Sequence, residues 1–278
     1  MSRKILRSIL LTLVAFLLIP GPAPAQQQTP IFSTVEQIKE DFAGVPCKDD
    51  DRLKAVKTLF EKAGAGTSDM SVEKFENVEN LVVRKPGSSE ETIVIGAHYD
   101  KVSEGCGAID NWSGIVIIAH VFKTIKDLSL KKSIVFVAFG KEEKGLYGSR
   151  AMVDAIPKDK VEQYCAMINF DSFGLANPQV LDNASKTELT SLAASLAKQM
   201  NMRFSHASVE RADADSSSFL KKKIPAVTLH GLSSEWASVI HSHNDKVSKV
   251  NPVSVYLGYK LALALLGQID EASCQAYR

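Results

Sequence analysis

The residues that could do chemistry gather where apolar runs stop. Thr92–Ala97 is followed by His98-Tyr99-Asp100, Ser133–Phe139 by Gly140-Lys141-Glu142-Glu143, and Ala166–Phe170 by Asp171. The loop Gly107-Ala108-Ile109-Asp110-Asn111 stands directly before a helical stripe, and His241-Ser242-His243-Asn244-Asp245 comes late in the chain. Imidazoles and carboxylates make a nitrogen and oxygen donor set that suits zinc. One zinc needs about three protein ligands and an open position, whereas two zincs about 3.5–4 Å apart need a carboxylate between them. His98, Asp110, Glu143, Asp171 and His241 would complete a two-metal site, with Asp110 as the bridge. Glu142, beside a ligand, is left free to act as general base, taking a proton from water and handing it to a leaving amine. Asp100 lies two residues from His98 in an extended stretch, hence on the same face, where it would orient the imidazole and fix its tautomer.

Such a site needs a scaffold that brings strand ends together. The runs Asn80–Val83, Thr92–Ala97, Ser133–Phe139, Ala166–Phe170 and Ala226–Leu229 are short, rich in β-formers and almost continuously apolar, as strands buried on both faces should be. Helical stripes alternate with them: Leu53, Val56, Leu59 and Phe60; Ile115, Ile118, Phe122 and Ile125; Leu189, Leu192, Leu196 and Met200. Asp49-Asp50-Asp51 opens the first stripe and suits the positive end of a helix dipole. Asn251-Pro252 supplies a cap and a first-turn proline for a last helix running to about Ile269. Strands alternating with helices predict an α/β domain with a largely parallel sheet. In such sheets ligands bind beyond the carboxyl ends of the strands, where the imidazoles and carboxylates stand. Lys221-Lys222-Lys223 reads as a solvated loop.

Composition narrows the setting. Met1–Ala25 has a basic start, an apolar run from Ile9 to Ile19, a Pro-Gly-Pro break and the small-x-small pattern Ala23-Pro24-Ala25, which predicts a signal peptide cleaved after Ala25. Its apolar run is shorter than the ~20 residues a spanning helix needs. No cysteine stands near the cut, so a lipid anchor there is not expected, and no second apolar segment is expected to cross a membrane. Residues 26–278 then form one domain. Without Arg3, Lys4 and Arg7 the chain carries 30 basic and 32 acidic residues, net −2, which is not the balance of a nucleic-acid binder. Hydrophobic residues make up 45% and charged residues 23%, which excludes a disordered chain. Export makes Cys47, Cys106, Cys165 and Cys274 candidates for disulfides; three complete pairings are open.

At these positions the chain resembles metallopeptidase family 28, which includes bacterial leucyl aminopeptidase, aminopeptidase Y and the glutaminyl cyclases. The resemblance rests on five ordered motifs: His98-Tyr99-Asp100, Gly107–Gly114, Phe139–Ser149, Asn169–Gly174 and Ile240–Asp245. It runs from about Asn80 to the C-terminus. It implies a zinc-exopeptidase fold, a mixed, mostly parallel sheet of about eight strands sandwiched between helices. It also implies two Zn2+ ions per chain, one held by His98 and Asp171, the other by Glu143 and His241, with Asp110 bridging. Glu142 would be the general base and acid, and Asp100, oriented toward His98, is counted with it as catalytic. The implied substrate is a peptide with a free N-terminus, and the implied protein an exported monomeric aminopeptidase, periplasmic or secreted, with no nucleic-acid partner and no membrane after signal cleavage.

The pattern has departures. Ala214-Asp215-Ser216-Ser217-Ser218-Phe219 stands where many members carry Ser-Asp-His before Phe, so specificity is expected to differ. His243, where proline or threonine is common, reads as an outer-shell neighbour of a ligand, and His120, His206 and His230 read as structural. Cys106 is expected to tie its loop to another cysteine. Asn111-Trp112-Ser113 and Asn183-Ala184-Ser185 match the N-glycosylation pattern; a glycan on Asn111 would crowd the bridging aspartate, so either that loop is inaccessible or the host attaches none. Three rivals remain. A single-zinc glutaminyl cyclase commonly has an insertion after the double glutamate, where this chain has only Lys144-Gly145. A carboxypeptidase would act at the other peptide end. A non-enzymatic binding ectodomain would lack ligands that are all present here.

Overall fold

The computed structural model describes residues 29–209 and 212–278; the signal-peptide reading of Met1–Ala25 lies outside the described residues. A hairpin of β1 (Met70–Phe75) and β2 (Val78–Lys85) precedes β3 (Thr92–His98), β4 (Ser133–Phe139), β5 (Tyr164–Phe170), β6 (Gln179–Leu181), β7 (Ser205–Ala207) and β8 (Ala226–His230). They form one eight-stranded sheet in the order β1-β2-β4-β3-β5-β8-β6-β7. Its centre, β4-β3-β5-β8, is parallel, and β2 and β6 flank it antiparallel. The chain leaves β3 toward β4 on one side and returns to β5 on the other. The crevice beyond the end of β3 is therefore a topological switch point, where such sheets bind ligands.

The central strands are buried on both faces, which is why they read as unbroken apolar runs. Along β3, Ile93, Ile95 and Ala97 face the layer made by α1 (Val35–Glu40), α2 (Arg52–Lys62), α3 (Ser113–Ile125), α5 (Thr187–Gln199) and α7 (Pro252–Glu271). Val94 faces the thinner layer of α4 (Tyr147–Ala155) and α6 (Asp215–Lys221), with Met167 and Phe219. Gly96 keeps β3 against that layer, because a Cβ there would stand 2.4 Å from the Phe139 ring. Phe60, Phe122 and Phe136 meet edge to face at centroid distances of 5.5–6.2 Å and join α2 and α3 to the sheet; pairs like these add about 0.5–1.5 kcal/mol beyond the area they bury.

By length and composition, α7 reaches membrane-spanning size, which corrects the expectation that no second segment does. Half of its apolar window is buried inside the protein. Tyr259, Leu261, Ala262, Leu265, Leu266 and Ile269 pack in the core, so it serves as the central core helix of its layer. Disulfides join Cys47 to Cys106 and Cys165 to Cys274, and Cys106 thus holds its loop as expected. His120 is structural: its Nδ1 meets the Ser33 hydroxyl at 2.7 Å and its Nε2 the Asp41 carboxylate at 3.0 Å, pinning the start of the described chain to α3. His206 is half exposed and pairs with Asp182.

Candidate active site

Strand register brings the chemistry together. β3 and β4 pair to their last residues, His98 opposite Phe139, so Glu142 and Glu143 begin their turn at the level of His98. Asp171 follows β5 directly, its N–H bonded to the Leu229 carbonyl. The turns that aim these side chains use left-handed backbone at Lys141 (φ 54°), Leu146 (φ 61°) and Ser172 (φ 59°), and His241 itself sits at φ 56°. Gly107 (φ 58°) opens the Asp110 loop, and a Cβ on it would stand 2.8 Å from the Asp110 carbonyl. Positive φ is costly for residues other than glycine and concentrates at functional sites.

All five ligand candidates meet at one place. His98 Nε2 is 3.1 Å from Asp110 Oδ1 and 3.6 Å from Asp171 Oδ1. His241 Nε2 is 3.0 Å from Asp110 Oδ2 and 3.2 Å from Glu143 Oε2. The two oxygens of Asp110 therefore face two imidazoles, each with a carboxylate of its own. Glu142 Oε2 lies 4.0 Å from His98 Nε2, beside this arrangement.

Asp100 orients the imidazole chiefly through its main chain rather than through its carboxylate. The strand ends at His98, and it is the main-chain carbonyl of Asp100 that lies 3.2 Å from His98 Nδ1, with a carboxylate oxygen at 3.6 Å. Its carboxylate accepts instead from the N–H groups of Glu142 (2.9 Å) and Glu143 (3.2 Å). One residue thus fixes the imidazole tautomer and holds the double glutamate in place.

The electrostatics are those of a cation site. Burial opposes protonation of His98, yet the carboxylates of Glu142, Asp100, Asp110 and Asp171 hold its pKa well above the usual imidazole range. Bonds to Asp110 and Glu143 push His241 up to about 10. Burial alone would raise the Asp110 carboxyl, but the two imidazoles hold it below the usual range. Burial raises Glu142 well above the usual carboxyl range, with Asp171, Asp215 and Asp110 adding to the effect and His98 opposing it. The carboxylates thus draw positive charge into the site. Glu143 Oε1 is buried without any partner, an acceptor left for a cation, and ligand atoms of His98, Asp110 and Glu143 all lie within 4.8 Å of one another. The donor set fits zinc, which takes nitrogen and oxygen ligands in this combination.

The site opens into a cavity of about 410 Å³, whose far wall carries Leu181, Val209, Leu232, Trp236 and Ile240. His230 lines it too, a position beyond the purely structural reading. Burial depresses its pKa to about 4, so the ring is neutral. His243 is exposed and, among the described residues, forms no hydrogen bond or ion pair with the ligand candidates; its neighbour in charge is Glu104, not the outer shell expected from sequence. Asn111 is fully buried, its side chain donating to the Phe170 carbonyl at 2.8 Å, so the folded loop is closed to glycosylation.

Three supporting residues were missed from sequence. Asp245 accepts from the N–H groups of Ile109 (2.7 Å) and Asp110 (3.1 Å). Asp215 is fully buried near Glu142, both carboxylate oxygens without a partner. Asp49 does more than meet a dipole: its carboxylate accepts from the Lys101 N–H at 3.2 Å. Asp215 and Asp245 stood inside quoted motifs, but nothing in residue spacing shows a carboxylate holding main-chain N–H groups far away.

Relatives of this chain carry the same family of names. A mycobacterial probable lipoprotein aminopeptidase, LpqL of Mycobacterium tuberculosis, is 34% identical over 112 residues, 39% of this chain and 22% of that protein. Aminopeptidase YwaD of Bacillus subtilis is 30% identical over 131 residues, 47% of this chain and 28% of that protein. These matches span about a quarter of each relative's length. Among solved structures, Legionella pneumophila LapA superposes with TM-score 0.72 at 23% identity, covering 86% of this chain and 73% of that one. A glutaminyl cyclase from an Acidobacteriales bacterium superposes with TM-score 0.74 at 19% identity, covering 90% and 99%; at such identities these two likenesses establish the fold. The model of peptidase family M28 matches residues 80–265, more than half of the sequence, including all five ligand candidates and Glu142, and the chain therefore belongs to that family.

Proposed function

We propose that this chain is an exported aminopeptidase that uses two zinc ions to remove the N-terminal residue of peptides. The observation that carries the reading is Asp110, with one oxygen toward His98 and the other toward His241 at 3.1 and 3.0 Å. His98 and Asp171 would hold one ion and His241 and Glu143 the other, with Asp110 shared. Bound there, zinc would polarise the scissile carbonyl and make a water easier to deprotonate.

The chain's own groups do the rest. Glu142 takes one proton from the attacking water, whose oxygen bonds to the carbonyl carbon. The C–N bond then breaks and Glu142 passes that proton to the leaving nitrogen. A carboxyl held above its usual range by burial suits a group that must both accept and return a proton. Asp100 keeps Glu142 in position through its N–H. The carboxylate floor attracts the positively charged α-amine of a free N-terminus, and the apolar wall of Leu181, Leu232, Trp236 and Ile240 suits an apolar first side chain. The two disulfides and the lipoprotein name of the mycobacterial relative support export. The protein acts as a monomer on peptides.

A second reading has an observation in its favour. The glutaminyl cyclase shares this fold over 99% of its length, so single-zinc acyl transfer at N-terminal glutamine is the alternative that the same scaffold accommodates. Two substrates decide between them. Leucyl p-nitroanilide should be cleaved by the zinc-loaded enzyme, and a glutaminyl peptide should lose its N-terminal residue without releasing ammonia. Ammonia release with no anilide cleavage would replace the peptidase with the cyclase.

A further inference from the structure

Arg52 is fully buried, and among the described residues no carboxylate lies within ion-pair distance of it. Four main-chain carbonyls take its protons instead. Nε donates to the Tyr99 carbonyl, Nη1 to those of Pro46 (3.1 Å) and Cys106 (2.9 Å), and Nη2 to that of Gly107 (3.1 Å). Tyr99 lies between His98 and Asp100, at the end of β3. Cys106 and Gly107 begin the loop that carries Asp110. One rigid planar group therefore grips both segments whose separation sets the distance from His98 to Asp110.

Other contacts reinforce the grip from the same stretch of chain. Cys47, next to Pro46, is bonded to Cys106. Asp49 accepts from the Lys101 N–H at 3.2 Å. The Trp112 ring stands 5.4 Å from the guanidinium carbon, close enough for a cation–π contribution. Burial lowers Arg52 only to about 10, with Asp49, Asp100, Asp245 and Asp110 sustaining its charge, so a fixed positive charge sits behind the carboxylates. Arg52 lies outside the residues matched by the family model.

We infer that Arg52 is a positioning residue for the zinc ligands: by holding carbonyls on both the His98 strand end and the Asp110 loop, it sets their separation and with it the affinity of the site for zinc. This rests on the two-metal reading for its consequence, but the clamp itself has a metal-independent signature. Lysine keeps the charge, yet a single ammonium cannot span the four carbonyls that the guanidinium fork reaches.

The test compares the full exported chain with Arg52→Lys, Arg52→Gln and, as control, Tyr259→Phe. The control removes the hydroxyl that accepts from the Ser33 N–H at 2.9 Å and so loosens the start of the described chain without touching the loop. Zinc affinity is read by competition with a chromophoric chelator, melting by circular dichroism, and amide hydrogen exchange on the metal-stripped proteins. Arg52→Lys should melt cooperatively and bind zinc about 10–100-fold more weakly, the range seen when a ligand's supporting partner is lost. Its Ile109 and Asp110 amides should exchange at least about tenfold faster while those of β3 and β4 stay protected, and Arg52→Gln should exceed both effects. Tyr259→Phe should lose stability with both readouts unchanged. Zinc affinity in Arg52→Lys within about twofold of the parent, or a loss no larger than in Tyr259→Phe, would overturn the inference. Should the parent bind no zinc, the metal reading fails, and amide exchange alone decides the clamp: unchanged exchange in both Arg52 variants overturns it. If Arg52→Gln does not fold, Arg52→Lys decides.

Discussion

Glu142 and Glu143 are neighbours in sequence with separate surroundings. Glu143 reaches His241 at 3.2 Å, whereas Glu142 stands aside from these pairs, the position of the proposed general base. Glu142→Gln keeps shape and removes basicity, so kcat should fall about 10²–10⁴-fold while zinc binding by calorimetry stays within a few-fold of the parent; near-normal turnover would end its role as base. Asp215 is one residue whose ionisation opposes folding. Burial raises its pKa from 3.8 to about 7, with Asp171 and Asp100 adding to the effect and His98 and the Ser149 hydroxyl opposing it. The folded state thus holds a proton that the unfolded state has released, and the resulting stability is present below pH 4 and lost as pH rises to about 7. Asp215→Asn should therefore raise Tm at pH 8 by about 5 °C and leave it unchanged at pH 3.5; an equal shift at both pH values would contradict the assignment. At this scale His98, Glu143 and Asp171 were legible as ligand candidates because they follow apolar runs, and Asp110 and His241 through the motifs around them. Arg52, Asp49 and Asp245 were not, because they work on main-chain groups that only folding brings near.

Among the elements, the Asp110 loop carries most of the precision. Its own ladder is a single wide turn, the Trp112 N–H donating to the Gly107 carbonyl at 3.0 Å; Asp245, Arg52 and the Cys47–Cys106 bond supply further constraint. Asp245→Ala would strand the buried N–H groups of Ile109 and Asp110, costing about 1–3 kcal/mol and lowering zinc affinity about tenfold or more, measured by thermal melting and chelator competition; unchanged affinity would remove Asp245 from the support of the site. The elements visible in sequence were those with one strong pattern. β3, β4, β5 and β8 are buried on both faces, and α2, α3, α5 and α7 carry apolar stripes. β1 was missed because its burial alternates between partly and fully exposed residues, and β6 and β7 because three residues each are too few for a period. The start of α4 was hidden behind Gly145 and the left-handed Leu146.

Over the whole molecule, the site is a place where one end of the sheet, two loops and a 410 Å³ cavity meet. The α/β class and the strand-end location were readable from alternating runs alone, since a parallel sheet leaves few other places for a ligand. The cavity wall was not readable, since Leu181, Val209 and the pair Leu232 and Trp236 come from three separate segments brought together only by folding. Their apolar character predicts that leucyl substrates outrun aspartyl ones, and that Trp236→Ala raises KM for leucyl p-nitroanilide about tenfold, as expected for the loss of roughly 1.4 kcal/mol of burial; equal KM values would place the first side chain elsewhere. The central claim is the shared aspartate, and zinc stoichiometry tests it most directly. The metal-stripped chain should regain anilide cleavage in proportion to zinc up to two equivalents, and Asp110→Ala should lose both tight sites together. Full activity at one equivalent, or two tightly bound zincs in Asp110→Ala, would contradict a two-metal site bridged by Asp110.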